Sequence, residues 1–298
     1  MKIEAGNHTL TSEEIRELQK KSLEILVYFT DFCKKHNLLF YFCGGCCIGA
    51  LRHQGFIPWD DDVDVFMPRK DYERLKELWP TEADARYVYC RSDKKLYLRS
   101  LLTAISDEET TFIKERQQDL DIPHGIRLEI LPLDACPESR FARKMQIMWA
   151  LIYSMYNNNE PPTSKGKGAY LLGKFLLALA PTQKMRYRIW RFAEKRMSRY
   201  PITPQTKHIT ELCARYQYMV NEYPAEAFSS ALWVDFEGLK MPIPVGYDTY
   251  LRMAFGDYMS LPPEEEQKPK HEAVLIDTEC SYQKYRGEYY CKTCEYHS

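Results

Sequence analysis

Between Gly44 and Tyr72 the chain reads GGCCIGALRHQGFIPWDDDVDVFMPRKDY. Side chains alternate faces along a strand. A strand that starts near Asp62 therefore projects Asp62 and Asp64 together, while Val63 and Val65 enter the core. Two carboxylates on one face repel each other. A divalent cation resolves that conflict, because hard cations favour oxygen ligands. Such a pair can hold Mg²⁺ or Mn²⁺ against a substrate phosphate. A calcium loop fits less well, since its glycine and distal bidentate Glu are absent.

Eighteen residues before Asp62 stands the diglycine Gly44-Gly45. Glycine lets backbone N–H groups approach a phosphate, and the N-terminus of the following helix favours an anion. Each motif is weak alone, since most glycine pairs are turns and acidic pairs decorate many edge strands. Strand, diglycine, helix and acidic strand in this order form a much stronger signal. Around it, Arg52 suits a bidentate phosphate contact or a surface ion pair. His53 is a base or a hydrogen-bonded support. Trp59 stacks on a base, faces a cation or packs in the core. Arg69 approaches a phosphate or forms an ion pair at a helix start. Cys46 and Cys47 read as helix packing.

These residues need elements to hold them. Thr11 with Glu14 forms a capping box that opens a helix to about Lys35. Leu38 to Cys43 reads as a short strand, Cys46 to His53 as a helix, Val63 to Met67 as a strand. Asp71 to Trp79 reads as a helix ended by Pro80. Further strands are expected at 87–91, 97–105, 110–114 and 126–131, so the first half is α/β or α+β. On the last of these, Arg127, Glu129 and Leu131 share a face. Then 140–156 and 171–200 read as helices. Leu232 to Phe236 and Leu239 to Pro242 are strand-like, and Tyr247 to Phe255 is helical. The expected organisation is a core with an N-terminal helix (1–140), a helical, basic region (141–230) and a C-terminal segment packing on the core with a loosely ordered tail (231–298), all in one compact unit.

Composition bounds the function. Apolar residues make up 45% of 298, enough for a sizeable core. The net charge of -1 argues against nucleic-acid binding driven by bulk charge. Locally, Lys165 to Arg199 carries ten Lys or Arg against one acid, Glu194. That is a solvated helix face or a surface for acidic lipid or polyphosphate. The first ten residues lack a signal-peptide pattern, and no apolar run is long enough to span a bilayer. The expectation is a cytoplasmic protein with reduced thiols, with peripheral membrane contact through 165–199 at the inner face of the membrane. In the tail, Cys280, Cys291, Cys294 and His297 could hold zinc, but one CxxC without a partner pair favours free thiols.

The stretch resembles the LicD family of phosphotransferases, whose members include phosphorylcholine transferases and whose relatives include the fukutin-related proteins. Gly44, Gly45, Gly49, Ala50, Arg52, His53, 55–59, 60–62 and Asp64 carry the resemblance. The later blocks GIRLEILPLD (125–134), Phe236 to Gly238, 242–244 and YLRMAFGDYMSLPP (250–263) are also similar. The resemblance implies an α+β fold with an α/β-like core, a nucleotidyltransferase-fold mixed sheet flanked by helices. It implies a third carboxylate, placed at Glu129 where the family usually has Asp. It also implies catalytic and metal roles for Asp62, Asp64 and Glu129, with His53 as a further catalytic candidate. Substrate-binding roles fall on Gly44, Gly45, Arg52, Trp59, Asp60, Arg69 and His271. One departure is Ala104, where the family often has Lys. A phosphate contact is thus missing or supplied from elsewhere.

The expected function is metal-dependent transfer of phosphocholine from CDP-choline to a hydroxyl of a cell-surface glycan, such as lipopolysaccharide or teichoic acid, or its lipid-linked precursor. A CDP-linked ribitol or glycerol phosphate donor shares every core residue. A non-catalytic nucleotide-binding scaffold is opposed by the intact acids. Aromatics from Tyr216 to Trp233 are either core or a cage for a quaternary ammonium.

Overall fold

Thr11 caps the first helix through the reciprocal pair read from the sequence. Its hydroxyl accepts from Glu14 N–H, and the Glu14 carboxylate accepts from Thr11 N–H. The structure is a computed structural model that describes residues 1–4, 10–161, 166–269 and 273–292. After β1 (Lys2–Glu4) come α1 (Ser12–Lys35), β2 (Tyr41–Phe42), α2 (Gly44–His53), β3 (Val63–Pro68), α3 (Arg69–Glu82), β4 (Tyr87–Cys90), β5 (Thr103–Asp107), β6 (Thr111–Lys114) and β7 (Arg127–Ala135). The helical region holds α4 (Arg140–Asn158), α5 (Gly166–Ala178) and α6 (Gln183–Met197). The chain then returns through β8 (His208–Thr210), α7 (Tyr216–Met219), β9 (Tyr223–Pro224), the hairpin β10 (Ala231–Phe236) and β11 (Leu239–Pro244), α8 (Tyr247–Phe255) and β12 (Ala273–Asp277).

The result is α+β. The main sheet runs β2-β3-β7-β5-β4, with β8 pairing to β7 and β9 to β8. Among the described strands of this sheet only β3 and β7 pair in parallel. Val63, Val65, Leu128 and Ile130 are fully buried, so these two strands are the centre of the core. Helix α1 lays Ile15, Leu18, Ser22, Ile25, Leu26 and Phe29 against the core at helical spacing. A second core, built on Tyr153, Trp190, Met197 and Leu212, ties α4 to α6.

Several boundaries differ from the sequence reading. Pro80 does not end α3, which runs to Glu82. The proline falls in the last turn, so the one hydrogen bond its missing N–H removes weakens only the end of the helix, and the Trp79 indole N–H anchors the turn on Tyr87 O at 2.7 Å. The helix expected over 171–200 is two, parted at Pro181, and Thr182 caps α6 by accepting from Met185 N–H. The strand expected from residue 97 begins only at Thr103.

The tail up to Lys292 departs most. Strand β12 joins β1 and β6 in the order β1-β12-β6. Tyr282, Tyr285 and Tyr290 are buried against Ile113 and Leu275. Tyr285 donates to Asp277 at 2.6 Å and Tyr282 to Glu108 at 2.7 Å. The loosely ordered tail expected from its polarity is corrected here: a tyrosine buries a large ring while its hydroxyl keeps a hydrogen bond. Cys291 is buried and Cys280 half-buried; Cys294 and His297 lie outside the described residues, as does His271. Among the described residues no helix is long and apolar enough to cross a membrane.

Candidate active site

Strand β3 places Asp64, and the parallel pairing of β3 with β7 sets Asp64 opposite Glu129. In-register neighbours point to the same face, with strands about 4.8 Å apart. Asp62, two residues before Asp64, shares that face. Burial, then Asp62, Glu129 and Asp60, push the Asp64 carboxyl well above the usual range, while Lys114 pulls the other way. Asp64 Oδ1 is buried without a hydrogen-bond partner among the described residues. Asp60, Asp61 and Asp62 also converge, with one carboxylate oxygen from each within 4.8 Å of the others. Clustered hard oxygens, one of them unpartnered, fit a divalent cation. Asp62 belongs to both groupings.

The approach of α2 depends on glycine. A Cβ on Gly45 would lie 2.1 Å from Asp60 Oδ2, so glycine leaves the Asp60 carboxylate its place against the N-terminus of α2. Gly44 has φ +47 and donates its N–H to the Tyr250 hydroxyl at 3.0 Å. The turn read as a phosphate cradle is thus faced by Asp60 and partly committed to Tyr250. Asp64 N–H donates to Cys46 Sγ at 3.4 Å. Burial and the nearby acids push the Cys46 thiol well up, so it packs as a neutral group.

Not every candidate converges. Arg52 and His53 sit at the far end of α2, about 10 Å along its axis from Gly45. Arg52 donates to the carbonyls of Tyr258 and Ser260, both at 3.1 Å, and to His53 Nε2 at 2.9 Å. Partial burial and Arg52 pull the His53 pKa down. Neither residue meets the acids: the intervening helix points them at the loop after α8. Arg69 follows the opposite end of β3, on the order of 20 Å from Asp62 along the strand. It makes a two-point ion pair with buried Asp134, at 2.8 and 2.6 Å. Burial opposes the Arg69 charge, but Asp134 outweighs it and raises its pKa. Of the two readings of Arg69, the ion pair is the one seen. Trp59 is partly buried against the main core.

Sequence reasoning missed Lys114. From β6 its Nζ reaches Glu129 Oε1 at 2.8 Å. With Asp61, Asp62, Phe112, Ile126, Arg127 and Glu129 it lines one recess. Ala104, the position where a lysine was expected, is the in-register neighbour of Glu129 on β5. The cation absent from β5 is therefore supplied beside the same carboxylate from β6. The only signal in the sequence was a lysine at the end of a strand candidate.

The chain is similar to the lipopolysaccharide cholinephosphotransferase LicD of Haemophilus influenzae, with 32% identity over 272 residues, which cover 88% of this chain and 98% of the relative. The chain belongs to the LicD family. The family's domain, described as the LicD/FKTN/FKRP nucleotidyltransferase domain, matches residues 37–115. In this LicD-family chain that match takes in the diglycine, the aspartates and Lys114, and stops short of Glu129. Uncharacterized proteins of Rickettsia prowazekii and Rickettsia typhi share 32% and 30% identity over 78 residues, covering 24% of this chain and 29% and 25% of theirs. The LicD-family chain is a phosphotransferase.

Proposed function

We propose that the protein transfers phosphocholine from CDP-choline to a hydroxyl of a cell-surface glycan, lipopolysaccharide in particular, or of its lipid-linked precursor. The likeness to the Haemophilus influenzae enzyme along nearly its whole length supports the transferred group and the acceptor class. The observation that carries the chemistry is the in-register pair Asp64 and Glu129 beside Asp62. Asp62, Asp64 and Glu129 would hold Mg²⁺ or Mn²⁺, with Asp60 and Asp61 alongside. The bound cation would neutralise the pyrophosphate and favour departure of CMP. The chain's own residues do the rest. Lys114 offers its ammonium to the donor phosphates. The recess orients the acceptor oxygen for in-line attack on the choline-bearing phosphorus, whose bond to CMP breaks. The acceptor proton goes to a site carboxylate.

Choline over a polyol is supported by the aromatics at the diglycine. Phe255 Cζ lies 3.9 Å from where a Gly44 Cβ would stand, and the Phe255 and Tyr218 rings are 5.6 Å apart. Phe255 is exposed and Tyr218 half-buried, so both have faces to offer a quaternary ammonium. Tyr223 and Phe228, by contrast, are buried in the core. The test is a competition among CDP-choline, CDP-ribitol and CDP-glycerol, scoring CMP release and the mass added to the acceptor. CDP-choline should win, and Tyr218→Ala with Phe255→Ala should narrow its lead. Equal or better use of a polyol donor would sink the choline assignment and leave the phosphotransferase standing.

A further inference from the structure

Helix α5 is apolar on both sides. Its inner side is anchored: Leu177 is buried, and the Tyr156 hydroxyl donates to Leu176 O at 2.8 Å. Its outer side, extended by the residue after it, carries Leu172, Phe175 and Leu179, which are 58%, 60% and 59% exposed. They recur at i, i+3 and i+7, one stripe of the helix. A solvent-facing stripe is ordinarily polar, and a contiguous exposed apolar patch marks a surface that meets something. Helix α6, next in the chain, exposes Met185 and Phe192 together with the cation Arg188.

Charge selects what that something is. Lys167 and Lys174 are exposed on α5, and the Lys174 ammonium lies 5.5 Å from the centre of the Tyr170 ring. The one acid in the described stretch 166–197, Glu194, is buried and paired with Arg91 and Arg191. The outer surface of these two helices therefore presents cations and apolar groups without an acid. A second copy docked face to face would oppose cation to cation. A bilayer surface bearing anionic headgroups offers the opposite charge and an apolar layer just beneath. Neither helix is long enough to cross it, so the geometry is that of a helix lying in the interface.

We propose that the outer face of α5 docks on an anionic lipid surface through Leu172, Phe175 and Leu179, steered by Lys167 and Lys174. The proposal is independent of which donor the active site uses. The full chain is sedimented with phosphatidylcholine vesicles and with vesicles containing phosphatidylglycerol, at low and high salt. The chain should pellet with the phosphatidylglycerol vesicles, less so at high salt. Leu172→Glu with Phe175→Glu and Leu179→Glu should remain in solution, with thermal unfolding unchanged because these side chains have no core to leave. Lys167→Glu with Lys174→Glu should weaken binding about tenfold or more, at roughly 1 kcal/mol for each cation near the surface. No binding to either vesicle, or equal binding by the glutamate variant, would overturn the proposal. So would light scattering that shows a dimer made monomeric by the same substitutions, since the face would then be an interface between copies. Donor competition moves independently of all these outcomes.

Discussion

Asp64 and Glu129 stand directly opposite one another on the parallel strands β3 and β7, and Lys114 closes on Glu129 from a different sheet. Like charges gathered this closely raise the energy of the metal-free protein. The site is thus assembled at a cost that a bound cation would relieve.

Replacing an acid should therefore separate stability from activity. Asp62→Asn, Asp64→Asn and Glu129→Gln should each lose turnover, by several kcal/mol of transition-state stabilisation. Glu129→Asp should keep part of it. Asp64→Asn should unfold no lower in temperature than the parent without metal. Mn²⁺ should raise the melting temperature of the parent, by mass action, and Asp64→Asn should lose most of that shift. Near-native CMP release by Asp64→Asn with added Mg²⁺ would refute the ligand role.

Lys114→Ala should lower kcat/KM for the donor by roughly tenfold to a hundredfold, the worth of about 1.5–3 kcal/mol for a charge-assisted contact. Lys114→Arg should recover part of the loss, since the charge is kept and its geometry altered. Steady-state kinetics of CMP release decide this. An unchanged kcat/KM in Lys114→Ala would reduce Lys114 to a partner of Glu129.

Gly45→Ala tests the close approach of α2 to the acidic loop. The added methyl would meet Asp60 Oδ2 at 2.1 Å, so Asp60 must move. The expected cost is about 1–3 kcal/mol of stability, as for other overpacked sites, with a large loss of turnover. Circular-dichroism melts and CMP release measure the two effects. Full activity would show that the position of Asp60 is unimportant.

Glu211 gives a pH signature away from the acidic cluster. Burial pushes its carboxyl up to about 7, against the hydrogen bond from Tyr223. The folded state then holds a proton that the unfolded chain releases near pH 4.5. The stabilisation is present below that value and is lost as pH rises to about 7, at about 1.4 kcal/mol per unit. Glu211→Gln should flatten this part of the stability curve and melt higher than the parent at pH 8. Parallel curves for the two proteins from pH 5 to 8 would contradict the shift.

Truncation after Asp277 should destabilise the protein by more than about 3 kcal/mol, because it removes three buried tyrosines from the cluster on Ile113 and Leu275. Thermal unfolding of the truncated chain is the measurement. A melting temperature equal to that of the full chain would show that these tyrosines add nothing to stability.

What the sequence determined by itself is local. The capping box at Thr11, the alternation that sets Asp62 with Asp64, and helix α8 at Tyr247–Phe255 all rest on neighbours a few residues apart, and spacing encodes them directly. The long motif from Gly44 to Asp64 was specific enough to give the family. The tertiary structure decided what depends on register and direction. The pairing of Asp64 with Glu129 needs the parallel register of β3 and β7. Lys114 meets Glu129 from β6, which belongs to another sheet and pairs with β12 from the far end of the chain. Arg52, His53 and Arg69 look close to the acids in sequence, but a helix and a strand are rigid spacers that carry them to the opposite ends of α2 and β3. The tail reads as polar because a tyrosine's polarity resides in one atom. Whether its ring is buried depends on a partner surface, here Ile113 and Leu275, that no local window contains.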